Sequence, residues 1–240
     1  MPASSPTLTQ HVYDRLRQQL LSGQLDARAQ LVNRTIAREL GTSTIPVREA
    51  IQRLASEGLV EYVPGAGAFV RQPDRRELAQ LYDLREALEP LAAAEAARNS
   101  AAYELDELQA YCDAWQELAV AIPARGHATR QQLGEWLDLE ERFHALLAAA
   151  TRNPWLERML NGVRLVAMVC AAQRGEPDLL TPALARKTCR EHAELVRALR
   201  ARDADRARDW MLKHVRHGRG VVLDYFDRKP SGPRLKSAQE

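Results

Sequence analysis

Residues 33–70 read NRTIARELGTSTIPVREAIQRLASEGLVEYVPGAGAFV, and the rest of the chain is organised around them. Ile36, Ala37 and Leu40 share one face of a short helix that stops at Gly41, the residue type that takes the left-handed conformation at a helix end most cheaply. Ser43 is placed to cap a second helix, and Pro46 falls in its first turn, where a missing N–H removes no bond. Val47, Ala50, Ile51 and Leu54 recur at three- and four-residue steps, so this helix buries one side and shows Arg48, Gln52 and Arg53 elsewhere. It ends at Gly58. Residues 59–63 and 68–71 are short strand-like runs joined by Pro64, Gly65, Ala66 and Gly67, a turn too rich in glycine to continue either run. Upstream, residues 8–21 form a first helix with Val12, Leu16, Leu20 and Leu21 turned inward. The expectation is a helix-turn-helix with a small β-hairpin wing, which presents the start of its second helix to a DNA major groove.

Taken alone, Arg48 is also readable as a solvated helix-face charge paired with a nearby glutamate. The residues SxxPVREAIxxLxxEGLV and then PGxGxFV, however, resemble the winged-helix domain of GntR-type bacterial transcription regulators, over roughly residues 9–72. The resemblance implies DNA contacts from Arg48, just after the proline-containing turn, and from Arg34, which opens the preceding helix. Ser43 and Thr44 lie at the same tip, and Gly67 lets the wing approach the minor groove. The family usually reads SRTPVRE where this chain has Ser43, Thr44, Ile45 and Pro46, so one groove-facing arginine is missing and the operator or the affinity is expected to differ. In the loop at 22–29, Ala27 and Arg28 stand where the family commonly has Pro-Gly, and Arg28 is then within reach of a phosphate.

At 240 residues, 45% of them hydrophobic, the chain can hold one large domain or two ordinary ones. A net charge of +2 argues against a protein that is basic all over and leaves room for a locally basic surface on residues 1–72. Cys112, Cys170 and Cys189 are odd in number and lack paired metal spacing, which suggests buried thiols in a reducing compartment. No signal peptide is read, and the longest apolar run, 165–172, is far too short to span a bilayer; a cytoplasmic protein without membrane contact is expected. No internal repeat points to a solenoid.

Gln72, Pro73 and Asp74 mark a linker, after which the pattern is helical throughout. Asp74 and Glu77 have capping-box spacing, and Leu78, Leu81, Leu84, Leu88 and Leu91 form a stripe interrupted by Pro90. Ser100 opens a second helix through Leu105, Leu108, Cys112, Trp115 and Leu118. Residues 123–128 are a break, Thr129 and Gln132 cap a third helix over 133–150, and Asn153-Pro154 starts a fourth over 155–173. Residues 174–180 are a loop, Thr181-Pro182 begins a fifth helix reaching 200, and Asp203 caps a sixth that ends at 225 or 226. The fold class is therefore mainly α: residues 1–72 a winged helix-turn-helix, 73–226 an antiparallel bundle of six or seven helices, and 227–240 a disordered tail.

The bundle carries a second constellation. Glu140 and His144 are four apart on one helix face, and His192 and His214 lie in the middle of two others, a set of donors suited to Zn²⁺ or a similar divalent ion. From spacing alone, Glu140 and His144 can equally be a surface pair, and His192 and His214 half-buried histidines. ExxFH, TRNPxL and then EHxxLxxALxxxDxxxAxxxMxxH resemble the effector-binding domain of the FadR subgroup of GntR regulators, over about residues 75–226. The resemblance implies that these four residues are metal ligands, for Zn²⁺ with Ni²⁺ or Mn²⁺ as alternatives, although the family's aspartate is replaced by Glu140. His217 is read as a solvated neighbour rather than a ligand.

Such a site leaves a coordination position for a small organic acid, and Arg85 is the candidate to neutralise it, unless it is held in an ion pair with Glu86 or Glu89. The expected partners are a pseudo-palindromic DNA operator, the acid effector and a second copy of the chain, since one recognition helix reads too few bases. A repressor is the expected role, with no enzymatic activity. A helical metalloenzyme, with Glu141 beside an open metal position, and a protein with a purely structural ion are the alternatives.

Overall fold

Gly41 makes the turn on which the first unit depends. Its φ is +62°, and Thr42 N donates to Ala37 O at 2.9 Å, closing helix α2 (Asn33–Glu39) and redirecting the chain into α3 (Thr44–Ser56). Together with the chain before it, the computed structural model describes residues 7–124, 126–173 and 179–228, with the backbone alone for 168–173. Segments 1–6 and 229–240, most of the expected loop at 174–180 and the side chain of Cys170 lie outside the described residues. The chain divides into two compact units, one up to Pro73 and one made chiefly of Asp74–Ala167 and the described residues from 179 onward.

In the first unit α1 (Leu8–Leu21) is capped by Thr7, whose side chain accepts from Gln10 N, and buries Val12, Tyr13, Leu16 and Leu20. α3 buries Pro46, Val47, Ala50, Ile51 and Leu54, the face that its periodicity predicts. Ser43 occupies the cap position in extended conformation but makes no side-chain capping bond. Arg53 is not a free surface charge. Its guanidinium lies 3.7 Å from the centre of the Tyr13 ring and donates to Gln10 Oε1 at 2.8 Å, tying α3 to α1.

The wing is more than the expected hairpin. β2 (Val60–Val63) and β3 (Gly67–Val70) pair antiparallel, but β1 (Gln30–Leu31) pairs along the other edge of β3, giving the order β1-β3-β2. A two-residue strand has no period to detect. Gln30 Nε2 also donates to Ala66 O at 2.6 Å, fastening β1 to the wing turn. Arg28 has φ +65° and its N–H donates to Val70 O at 3.0 Å, so the position where the family commonly has glycine needs the conformation that glycine adopts most readily.

The second unit contains, among the described residues, six helices: α4 (Arg75–Asn99), α5 (Ala102–Ala121), α6 (Arg130–Ala150), α7 (Pro154–Gln173), α8 (Pro182–Arg200) and α9 (Ala204–Arg228). The capping boxes Asp74/Glu77 and Thr129/Gln132 form as expected. Ser100 does not open α5; its hydroxyl donates to Ala96 O at 2.7 Å and closes α4. In the TRNP turn, Arg152 adopts φ +59° and chelates the buried Glu104 at 2.8 and 2.7 Å, while Asn153 Oδ1 accepts from the first amides of α7. α9 runs to Arg228, and Asp227 pairs with Arg75 at 2.6 Å, so the helix takes in residues expected to belong to the tail.

Packing on α4 departs from the sequence reading. Its buried positions are Leu78, Tyr82, Arg85, Glu89, Pro90 and Ala92, Ala93, Ala94, Ala96 and Ala97, whereas Leu84 and Leu91 are 48% and 44% exposed. The leucine stripe is divided: Leu78 is buried and Leu88 packs on Ala92, Ala148, Leu156 and Leu160, while Leu84 and Leu91 lie outside what their neighbours in the unit cover. Beyond Leu78 and Tyr82 the buried side is built from alanines, Pro90 and two paired charges, and the 25-residue helix continues through Pro90.

Candidate functional site

In the first unit, Ser43, Thr44 and Arg48 are all exposed at the N-terminal end of α3, and Arg34, the second residue of α2, is exposed as well. Gly67 opens β3 with φ +104°, a backbone geometry that a side chain would strain, and Gly65 at the wing turn has φ +74°. Among the described residues no carboxylate holds Arg34 or Arg48 in an ion pair, unlike Arg53. The tip therefore carries guanidinium, hydroxyl and backbone donors able to meet phosphate and base edges.

In the second unit, Glu140 and His144 of α6, His192 of α8 and His214 of α9 converge, each offering a ligand atom within 4.8 Å of all the others. The three histidines are buried, at 1–8% exposure. His192 Nε2 lies 3.5 Å from His144 Nε2, and the Glu140 carboxylate lies 3.5 Å from His144 Nε2 and 3.8 Å from His192 Nε2. The extra methylene of Glu140, compared with the family's aspartate, thus still delivers its carboxylate to the cluster.

Each imidazole is aimed by its other nitrogen. His192 Nδ1 is 3.0 Å from Thr188 O, His144 Nδ1 is 3.2 Å from Glu89 Oε2, and His214 Nδ1 is 3.3 Å from Glu191 Oε2. A carbonyl or carboxylate oxygen only accepts, so each Nδ1 carries the hydrogen, and in the neutral rings of His144 and His192 the lone pair of Nε2 turns inward. Burial, reinforced by His214, holds the His192 imidazolium well below its ordinary value, and burial lowers His144 too, so both rings are neutral at pH 7. Lone pairs and a carboxylate facing one another without a proton to share are mutually repulsive unless a cation lies among them. Their spacing suits one: two nitrogens on a tetrahedral Zn²⁺ are about 3.4 Å apart.

Behind the cluster, Glu89 is 2% exposed and joins three partners. Arg85 Nε donates to its Oε1 at 2.6 Å, Arg164 donates to its Oε2 at 2.8 Å, and that oxygen also holds His144. Burial alone would raise the Glu89 carboxyl, but the two guanidiniums keep it ionised, well below the usual carboxylate range. Of the two glutamates considered for Arg85, it is Glu89 that it meets; Glu86 pairs with Arg216 and Arg219 at 2.9 and 2.8 Å. His217 is a half-buried partner of Glu191 at 3.0 Å rather than a solvated bystander.

On the other side Trp115 stacks on His192 with centroids 4.1 Å apart, and Phe143 meets it edge-on at 4.7 Å. Arg164, Glu191 and this aromatic wall were not singled out from sequence. The available signals were slight: one arginine inside the apolar run RLVAMV, and the acid preceding His192.

An exposed helix tip beside a glycine-bearing wing, in a chain whose other unit gathers a buried donor cluster, defines a DNA-binding regulator with a separate helical module. Residues 80–217 match the FCD domain family, residues 8–70 match "Bacterial regulatory proteins, gntR family", and the chain belongs to that family of transcription regulators. It is 30% identical over 231 residues to an uncharacterized HTH-type transcriptional regulator in an unstable DNA locus of Streptomyces ambofaciens, covering 90% of this chain and 84% of that protein. It is 29% identical to the "Probable D-xylose utilization operon transcriptional repressor" of Paenarthrobacter nicotinovorans, covering 87% and 86%. Among solved structures, E. coli McbR/YncC superposes with a TM-score of 0.78 at 24% identity, covering 92% of this chain and 99% of that one. These relatives are regulators, not enzymes, and no described helix is long and apolar enough to cross a membrane.

Removing the shared partner of two buried guanidiniums is costly. Glu89→Gln is expected to destabilise the helical unit by about 3–5 kcal/mol, whereas Glu86→Ala, whose partner Arg216 is exposed and Arg219 partly so, costs below about 1 kcal/mol. Urea denaturation followed by circular dichroism measures the difference.

Proposed function

We propose that the protein is a homodimeric transcriptional repressor that reads a pseudo-palindromic operator and is controlled by a small carboxylate bound at a divalent metal site in the helical unit. The observation that carries the sensing half is the inward convergence of Glu140, His144, His192 and His214, with every imidazole oriented by an acceptor at Nδ1. These four would hold the ion, Zn²⁺ before Ni²⁺ or Mn²⁺ given three imidazoles and one carboxylate. When bound, such an ion supplies a Lewis-acidic position open to a ligand oxygen.

Charge favours that assignment. Glu89, Glu140 and Glu191 against Arg85 and Arg164 leave one net negative charge around the neutral imidazoles of His144 and His192, and a divalent ion turns it into one net positive charge that attracts an anion. Arg85 and Arg164 are the cations beside the cluster, and Arg85 is the candidate to meet a ligand carboxylate while Glu89 fixes its Nε. His192→Ala is expected to abolish retention of Zn²⁺ in equilibrium dialysis, where the parent protein keeps one equivalent. Calorimetric titration of the Zn²⁺-loaded parent with a panel of small organic acids should then find a binder, and no such binder after metal removal. Retention of Zn²⁺ by His192→Ala would disprove the ligand set.

In the DNA-binding half, α3 enters the major groove with Ser43, Thr44 and Arg48, Arg34 contacts the backbone or a base from α2, and Gly67 brings the wing to the minor groove. The exposure of Arg34 in the first turn of α2, and of Ser43, Thr44 and Arg48 at the start of α3, supports this, and the name of the Paenarthrobacter relative supports repression. A cytoplasmic location follows from the role. Arg48→Ala should abolish the gel shift of the region upstream of the protein's own gene while leaving helical circular dichroism unchanged; a normal shift would remove α3 from the groove.

A further inference from the structure

We infer that Ile45 reads a thymine methyl group in the operator, an assignment that rests on the proposed docking of α3. Ile45 is the second residue of α3 and 57% exposed, between Thr44 and the buried Pro46 at the same tip as Ser43 and Arg48. An aliphatic side chain has no phosphate or base-edge hydrogen bond to make; what the major groove offers it is the 5-methyl of thymine. Its β-branch leaves it one strongly preferred helical rotamer, so contact costs little ordering. The neighbouring Thr44 stands where the family usually has arginine, so the turn is poor in donors for guanine and rich in methyl groups. The test is a duplex containing the footprint upstream of the protein's own gene, made with thymine or with uracil throughout. The parent protein should bind the uracil duplex about 4- to 16-fold more weakly, the effect of withdrawing one or two methyl groups from an apolar contact, and Ile45→Ala should bind both alike. A parent indifferent to the methyls, or an Ile45→Ala protein that keeps the parent's ratio, overturns the assignment. Absence of binding to either duplex at low salt overturns the docking of α3 as well.

Discussion

A buried carboxylate holds the helical unit together where it is most polar. Glu89 has no water to solvate it and ionises only because Arg85 and Arg164 stand against its two oxygens. Those guanidiniums in turn are tolerable inside a bundle only because Glu89 is there. The triad links α4 to α7, and through the second Glu89 oxygen it reaches His144 on α6. One side chain thereby pairs with two guanidiniums and sets the tautomer of a ring that faces the donor cluster. Its geometry decides which nitrogen of His144 points inward, and so whether the cluster can act as a ligand set at all.

Around that triad the polar and apolar parts divide the labour. Thr188 O and Glu191 orient the remaining imidazoles, while Trp115 and Phe143 close the site on its aromatic side and exclude water from His192. Low exposure keeps His144 and His192 neutral, which suits them as ligands better than as acids. The same dryness strengthens the electrostatic attraction between the charged groups inside the unit. In the first unit the balance is reversed. Its core is wholly apolar, and its donors are displayed on a helix tip and a wing turn, where exchange of water for phosphate costs little.

The departures from the family pattern fall into two kinds. Glu140 for aspartate leaves the carboxylate in the cluster, because one methylene is absorbed by the side-chain torsions of α6. Arg28 in place of the usual glycine is accommodated at φ +65°, a backbone cost borne by the pairing of its N–H with Val70. Thr44 and Ile45 in the recognition turn are different, since nothing inside the unit compensates for them and they are displayed outward.

By itself the sequence determined the local events: the Gly41 turn, the capping boxes at Asp74 and Thr129, the Asn153-Pro154 start, and the buried face of α3. Each is fixed by interactions within a few residues, which is why a linear reading recovers them. The four converging donors were legible because residue types at helical spacing, strengthened by family resemblance, identify candidates. Only the tertiary structure decided that they meet, since 74 residues separate Glu140 from His214 and no local signal fixes that distance. It also decided that β1 completes the wing, that Arg85 faces Glu89 rather than Glu86, that Arg164 and Glu191 support the cluster, and that Leu84 and Leu91 of α4 point out of the unit's core. A helix carries several plausible faces in its sequence; which one is buried is chosen by the neighbours that the rest of the chain brings to it.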